Sequence, residues 1–557
     1  MLKTLVIYIG FVFSIYLIGR LFIIFLKKIF KENNSEIFGI KISYFYLLVG
    51  LISMSQLLFI FNFFFGLDKL NIFMFLSIVV FLNLIFYSRI KFTYELILNL
   101  FILFSLFISF YDIGLSKDSY LYHLSSQSWI FTEKIVFGLS NLNPYLGYMS
   151  INEYVLSILS NYGLINSHSL NLLYLLIFFS ILVGFLFSKV LFYRNIFFGI
   201  SFFGFLDNFG FEGGRNGFFA IQEINKFDYS FSIIFVIFVI FYLYLLKVKK
   251  ELIFMELFVL TFIVLFAIQL RVFGGILFFP LLYIVLKFKS NIFKIIPLGI
   301  FGILWILKNY INTSCLLYPI QFTCIASKWY FPQQADYVSI AVLDSFRDPS
   351  FGINSIDNFA WIKNVFIPES YSFILNFFLT CILFFLLTYV IGIRTSFALN
   401  KKESFFNLLI IILLLVVWIL YLPSYRFSSA FLLTVFFILN LNFFLYGNRE
   451  NVFSYFKITP LFLVAILLIN NLGDYKNFVS DPFSNKEIIL PDITYTLQDG
   501  YGVKPSSVGI QGQLCYSRKD CYFSNYNLKI SSNPYQYKTI IPIQQNYYLK
   551  IMNEINS

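Results

Sequence analysis

Long apolar runs, nearly devoid of charge, recur along this chain and constrain its fold more than any other feature. A helix needs about 20 such residues to cross the roughly 30 Å hydrocarbon core of a bilayer. Lipid offers no hydrogen bonds, so a spanning segment must satisfy its backbone as a helix or within a closed barrel. The runs are too long for barrel strands and do not alternate apolar with polar residues, which leaves helices. Composition agrees, with 59% hydrophobic and 12% charged residues, where soluble domains carry about a quarter charged. The expected fold class is an all-α polytopic membrane protein. Candidate spans are 5–26, 44–66, 70–88, 94–111, 168–190, 195–209, 228–246, 252–270, 272–286, 291–311, 371–392, 404–422, 426–446 and 457–471, about fourteen helices. The 78 Phe reflect a compositional bias; contact with lipid or between helices accounts for them. Leu5 to Leu26 lacks a small-residue cleavage site and is followed by Lys27, Lys28 and Lys31, so it reads as a retained helix rather than a cleaved signal.

The net charge of +12 would suggest nucleic acid in a soluble protein. Here no nucleic-acid partner is expected, because the basic residues fall mostly in short loops between spans. Alternate loops carry Lys27, Lys28, Lys31 and Lys41; Arg89 and Lys91; Lys189 and Arg194; Lys247, Lys249 and Lys250; Lys287, Lys289 and Lys294; Arg394, Lys401 and Lys402; and Arg449 and Lys457. The positive-inside rule assigns these loops to the cytoplasm of a bacterial inner membrane. Segments 112–167 and 312–370 and the tail from about residue 472 then lie outside. Within the first, 120–137 reads as a helix on the membrane surface and 150–164 as a short re-entrant helix or an extra pair of turns. The tail, with Gly500, Gly502, Gly509 and Gly512, reads as a small irregular appendage.

Cys515 and Cys521 sit six residues apart in the tail, and Cys315 and Cys324 nine apart in the second outer loop. Outside the cell disulfides persist. With two His and no CxxC motif, disulfides suit both pairs better than zinc does. Cys381, inside a span, reads as an apolar filler.

A charge at mid-membrane costs about 2.5–3.5 kcal/mol on insertion scales, so charges near the bundle need a reason. Among ten Arg, Arg215, Arg271 and Arg426 fall at outer helix ends, against the orientation rule, and Lys308 lies in the last turn of another such helix. Each alone is explained by snorkelling or by pairing with an acid. As a set they suit a phosphate or pyrophosphate at headgroup depth. The first outer loop opens with Lys117-Asp118-Ser119-Tyr120-Leu121-Tyr122-His123. Asp118 is placed to act as a general base or to help hold a divalent cation, and also to cap a helix. Tyr122 and His123 follow within about a turn, His123 as a second-rank catalytic candidate. Glu133, Glu153, Glu212 and Glu223 are further acids on that side that the sequence does not rank. Phosphate-loop, HExxH, GxSxG and dinucleotide motifs do not occur. No cofactor is named by the sequence beyond a divalent cation compatible with Asp118.

Several short motifs carry a resemblance. Asp118 to His123, Gly138 to Leu142, Tyr145-Leu146-Gly147, Ser150-Ile151-Asn152, Lys308-Asn309-Tyr310, Leu317-Tyr318-Pro319, Trp329 to Pro332, Ser424 to Phe427 and the Cys515/Cys521 tail together resemble a family of multi-span bacterial proteins laid out like GT-C glycosyltransferases. Lys308, Ser140 and Lys328 stand where that pattern leads to Arg, Gly and an acid. The resemblance implies a GT-C-like core over 94–471, preceded by a three-helix addition at 1–93 and followed by an extracytoplasmic tail at 472–557. It implies sugar transfer from a polyprenyl-phosphate donor, with Asp118 as the acid after the helix preceding the large first outer loop. The competing readings are a transporter or flippase of lipid-linked saccharides, with a site near the midplane, and a non-catalytic scaffold of envelope assembly. The sequence leaves the sugar, the acceptor and the oligomeric state open.

Overall fold

The computed structural model describes residues 2–32, 34–68, 94–116, 118–190, 223–248, 251–290, 295–330 and 401–421. It also describes single helical positions within 192–201, 335–338, 375–386, 431–435 and 476–480, and tail residues 495–498, 502–505, 528–532 and 537–542. Spans expected at 70–88 and 457–471, almost all of 426–446, and parts of 195–209 and 371–392 lie outside the described residues. So do Arg215, Arg426, Glu212, Cys381, Cys515 and Cys521.

The described residues are mostly helical. In chain order the α-helices are α1 (Leu2–Phe30), α2 (Tyr46–Asn62), α3 (Tyr94–Phe107), α4 (Leu124–Thr132), α5 (Asn152–Asn161), α6 (His168–Phe187), α7 (Asp228–Lys247), α8 (Phe254–Leu270), α9 (Phe278–Lys287), α10 (Ile296–Thr313) and α11 (Lys401–Tyr421). Four helical stretches, Leu2–Phe30, Ile42–Asn62, Leu164–Phe187 and Asp228–Lys247, are long and apolar enough to cross a membrane. Four shorter apolar ones accompany them: Ile97–Tyr111, Phe254–Leu270, Val272–Lys287 and Phe405–Ile419. The all-α expectation is too narrow, because three two-stranded antiparallel hairpins are present. One is β1–β2 (Glu36–Ile37 and Ile40–Lys41). The other two, β3–β4 (Tyr495–Gln498 and Gly502–Pro505) and β5–β6 (Leu528–Ser532 and Lys538–Pro542), give structure to a tail expected to be irregular.

Burial differs among the long helices. The apolar window of α7 is enclosed completely by the rest of the protein, whereas half of that of α1 is exposed. An exposed apolar face in a helix of this length suits lipid. Small residues set the contact between α1 and α2. A methyl placed on Gly19 would lie 1.8 Å from the Tyr46 carbonyl oxygen, and one on Gly50 would lie 2.0 Å from that of Ile15. Only glycine lets two helix backbones approach this closely. The run expected as one helix at 272–286 instead begins as a 3-10 turn, Val272–Leu277, before α9. The cause is Gly274, whose Cα packs onto the end of α8, 2.4 Å from the Ala267 carbonyl oxygen for a built methyl.

The loops sort into two groups that each meet among themselves. In one group, the Phe38–Gly39 turn accepts a hydrogen bond from Tyr193 Oη at 2.6 Å and one from Ser188 Oγ at 3.1 Å. Lys287 Nζ lies 2.7 Å from Glu403 and 3.1 Å from the Leu246 carbonyl oxygen. These segments are the ones with clustered lysines. In the other group, the tail strand β6 bridges Phe137, with N–H···O distances of 2.9 Å in both directions. Asn141 Nδ2 reaches both Ile540 O at 2.9 Å and Trp329 O at 3.0 Å. Tyr537 Oη donates to Phe63 O at 2.8 Å, and Lys538 pairs with Glu133 at 2.9 Å. The first large loop, the Trp329 segment and the tail therefore share one end of the bundle. Cys315 and Cys324 are disulfide-bonded at that end.

Candidate functional site

At the Trp329 end the chain builds a buried polar cluster, beginning with backbone pairing. Leu115 and Ile224 form a parallel bridge; Ser116 N donates to Ile224 O at 3.1 Å, and Ile224 N to Gly114 O at 3.0 Å. Ser119 Oγ adds a bond to Ile224 O at 2.9 Å. The chain then makes one π-helical turn, Ser119–His123, that runs into α4. Such turns are rare and are frequently found at functional sites. Asp118 stands half-buried before this turn, and its side chain does not cap it. Ser116 takes that role, with Oγ 3.3 Å from Ser119 N.

His123, the last residue of the π turn, is 4% exposed and points Nδ1 at Glu153 Oε1, a partner from the first turn of α5 that is fully buried. One turn along α4, Gln127 donates to Glu153 Oε2 at 3.0 Å and also to Asn225 Oδ1 at 3.0 Å. Asn225 has a left-handed backbone, φ +64, a conformation Asn tolerates better than most residues. The imidazole lies between two rings, with Tyr122 at 4.1 Å and Phe227 edge-on at 4.6 Å. Both carboxylate oxygens of Glu153 are thus held by side chains, and the ring of His123 is fixed in place.

Two cations flank this pair. Lys308, on α10, is 1% exposed; its Nζ sits 4.5 Å from the Trp305 ring centroid and meets no hydrogen-bond acceptor among the described residues. Glu153 is the charge that acts on it. Arg271, just after α8, pairs with Asp228, the first residue of α7. Tyr148 links the two sides: it lies near Arg271 and near Tyr145, which stacks on Tyr122 at 6.1 Å. Burial pushes the Tyr148 phenol well above its usual pKa, Tyr145 adds to the rise and Arg271 opposes it. Tyr148 is therefore a neutral hydrogen-bonding group at physiological pH. A small cavity of about 10 Å³, room for about one water, lies beyond the cluster, lined by Trp129, Met149, Tyr154, Asn62 and Asn312 among others. Asn312 lies one turn beyond Lys308 on α10.

The sequence motifs of the first and second large loops converge here. Tyr318 Oη donates to Pro144 O at 2.9 Å, and its ring fills the space over Gly147, where a methyl would lie 2.4 Å from it. Gly138 N donates to Ile311 O at 2.9 Å, and Ser140 Oγ to Asn312 O at 3.0 Å. Gly138 has φ +68, and a methyl there would lie 2.5 Å from Ile540 O, so glycine is required on both counts. Tyr174 Oη donates to Asn152 Oδ1 at 2.6 Å. The segments are locked so that α5 presents Glu153 to His123.

The sequence pattern of a domain of unknown function, DUF8201, matches residues 1–433. The chain belongs to the DUF8201 family. Every residue of the polar cluster lies within the matched region, while the tail strand that packs on the first loop lies beyond it. No curated protein and no solved structure matches the chain.

Of the site residues expected from sequence, Tyr122 packs on His123, Lys308 lies in the field of Glu153, Arg271 pairs with Asp228, next in sequence to the Phe227 that packs on His123, and Asp118 begins the turn that carries His123. Arg215 and Arg426 lie outside the described residues. Sequence reasoning missed the partners: Glu153 was one of four unranked acids, and Gln127, Asn225 and Asp228 were not singled out. Asp228 carried a readable signal, an acid opening a long apolar run opposite Lys247. Glu153 carried only its place at the start of a short helix between polar turns. Among the described residues no cluster of His, Cys, Asp and Glu fits a metal ion.

Proposed function

We propose that this chain is a membrane glycosyltransferase of the GT-C kind, with about fourteen helices, in a bacterial cytoplasmic membrane. It moves a sugar from a polyprenyl-phosphate donor to an envelope glycan, lipid or protein acceptor at the outer face. The observation that carries this reading is Lys308. A buried ammonium without a hydrogen-bond acceptor is unfavourable by several kcal/mol unless an anion completes its shell. A phosphate at headgroup depth is that anion. The GT-C resemblance of the motifs around it supplies the sugar and the lipid carrier.

In the proposed reaction Lys308 and Arg271 stabilise the charge that grows on the phosphate as the sugar–phosphate bond breaks. Arg271 is oriented by Asp228; a guanidinium has five N–H donors, so one carboxylate does not use it up. Asp118 and His123, on one turn, are the groups for handling the acceptor hydroxyl. The tail, the Trp329 segment and the first loop are placed outside together, because the short loops at the opposite end carry the clustered lysines Lys27, Lys28, Lys31, Lys247, Lys287 and Lys289.

The test uses purified protein in lipid nanodiscs, a panel of polyprenyl-phosphate-linked sugars labelled in the sugar, and an envelope extract as acceptor. The expected result is incorporation of label with release of polyprenyl phosphate, reduced by Asp118→Asn. Movement of the intact labelled lipid between leaflets, with no sugar transferred, would instead establish the flippase reading.

A further inference from the structure

We propose that His123 is the general base of this site and that Glu153 positions it, holding the imidazole as the Nδ1–H tautomer with Nε2 as the proton-accepting atom. The reaction served rests on the transferase reading; the pair itself rests on geometry. Nδ1 faces a fully buried carboxylate, so the ring presents Nε2 to any substrate. An imidazole becomes a useful base when its second nitrogen is fixed by a carboxylate that stabilises the imidazolium.

The chain's other histidine supplies the control. His168 is also fully buried, but its Nε2 lies 3.0 Å from Ser109 Oγ and its ring stands edge-on to Phe110 at 5.0 Å. Those partners are neutral and hold a packing residue. His123 alone of the two faces a carboxylate, stands at the end of a π turn, and shares its partner's field with a buried lysine. Asp118, the acid put forward by the resemblance, is half-exposed at the start of the same turn. The buried pair is the better-insulated proton acceptor.

The step balances. The acceptor oxygen bonds to the anomeric carbon as the bond from that carbon to the phosphate oxygen breaks. The electron pair leaves with the polyprenyl phosphate, which gains one negative charge. The acceptor proton moves to Nε2, giving an imidazolium beside Glu153, and is later lost to water. One positive and one negative charge appear together, next to Glu153 and Lys308 respectively, so the net charge of the buried site does not change.

Gln127 makes the prediction specific. Its amide N–H groups are committed to Glu153 Oε2 and Asn225 Oδ1. In Glu153→Gln the new amide oxygen therefore stays with Gln127, and its NH₂ faces His123 Nδ1. That turns Nδ1 into an acceptor and drives the ring to the Nε2–H tautomer, in which no base faces the substrate.

The experiment uses the full chain in nanodiscs with ¹⁵N-labelled histidine. Two His residues keep the spectrum readable, and His168→Gln assigns them. Expected are an Nδ1–H tautomer in the wild type, the Nε2–H tautomer in Glu153→Gln, and a fall in sugar transfer of about 100-fold or more. Binding of polyprenyl phosphate to His123→Gln, which leaves the Glu153 charge beside Lys308 in place, should be unchanged. His123→Gln, which keeps a hydrogen bond to Glu153, should lose transfer equally and serves if Glu153→Gln does not fold. An Nε2–H tautomer in the wild type would overturn the proposal, as would transfer by either variant within tenfold of wild type. Failure of the wild type to bind polyprenyl phosphate would remove the transferase reading instead, and the tautomers would still decide the pair.

Discussion

Glu153 and Glu256 are both fully buried carboxylates near the start of a helix, yet their partners give them opposite characters. Glu256 accepts backbone N–H groups, from Phe38 at 2.8 Å and from Ile253 at 3.3 Å. The second is the half of a capping box in which the third helical residue reaches back to the residue before the helix. The first holds a strained turn: Phe38 and Gly39 have φ +54 and +73, the paired positive values of a two-residue hairpin turn. A Phe there is an outlier, kept in place by Glu256 on its N–H, by Tyr193 on its carbonyl and by Phe241 stacked at 4.5 Å. Glu153, by contrast, is held by side chains, the imidazole of His123 and the amide of Gln127. Equal burial thus serves architecture at the lysine-rich end of the bundle and, in the proposed reading, chemistry at the other. What a buried acid touches separates the two cases; how deeply it is buried does not.

The largest expected effect tests the architectural half. Glu256→Ala leaves two backbone N–H groups without their acceptor and lets the Phe38 turn relax. Hydrogen bonds to a charged group contribute about 1.5–3 kcal/mol each, so the variant should lose about 3 kcal/mol or more. Thermal unfolding in detergent should show a clear drop in midpoint, and Glu256→Gln a smaller one, since its amide oxygen still accepts one bond. A Glu256→Ala protein as stable as wild type would break the comparison at its root.

The next effect tests the other half in the opposite direction. Lys308→Met keeps the volume and removes a buried ammonium that meets no hydrogen-bond acceptor among the described residues. An unpaired buried charge is costly to keep out of water, so the unfolding midpoint should hold or rise. Affinity for polyprenyl phosphate should fall about 30-fold, the equivalent of roughly 2 kcal/mol for a charge-assisted bond. Thermal unfolding, and isothermal titration with the free lipid phosphate, measure the two arms on one nanodisc preparation. A marked loss of stability with unchanged affinity would make Lys308 a structural counter-ion of Glu153.

The sequence showed the helical bundle well, because hydropathy reports directly on which segments suit lipid. Positions 5–26, 168–190 and 228–246 became long helices within a few residues of their expected ends. Among the described residues, the segments beside Lys41, Lys189, Lys247 and Lys287 gather at one end of the bundle. The Cys315–Cys324 bridge was within reach because nine residues of loop on the expected outer side leave few other partners. The Phe38–Gly39 hairpin was not, since Phe has no preference for a left-handed backbone and the turn exists through Glu256, 218 residues away. The His123–Glu153 pair was half legible for the same reason. His123 stood out as one of two histidines, while Glu153 lies 30 residues further on and acquires meaning only when the Tyr318, Gly147 and Asn152 contacts fold α5 against the π turn. Single residues of unusual type can be read from sequence; pairs made by tertiary packing cannot.

The smallest expected effect lies at the lysine-rich end, and it sharpens the contrast between the two ends. Lys287 and Glu403 form a pair at 2.7 Å, with side chains 26% and 13% exposed. Water and salt screen such a pair, and ordering two long side chains offsets most of the attraction, so its coupling should be about 0.5 kcal/mol. Lys287 Nζ also lies 3.1 Å from the Leu246 carbonyl oxygen in the last turn of α7, where a cation meets the negative end of the helix dipole. That contact adds a few tenths of a kcal/mol, also reduced by salt. A double-mutant cycle with Lys287→Met and Glu403→Gln separates the two contributions, because only the first variant loses the carbonyl contact. The single Lys287→Met loss should exceed the coupling, and the coupling should vanish in high salt while the effects of Glu256→Ala persist. A coupling above about 2 kcal/mol would mean that the Lys287 end is as dry as the His123 end, and the contrast between a solvated ion pair at one end and a buried polar cluster at the other would fall with it.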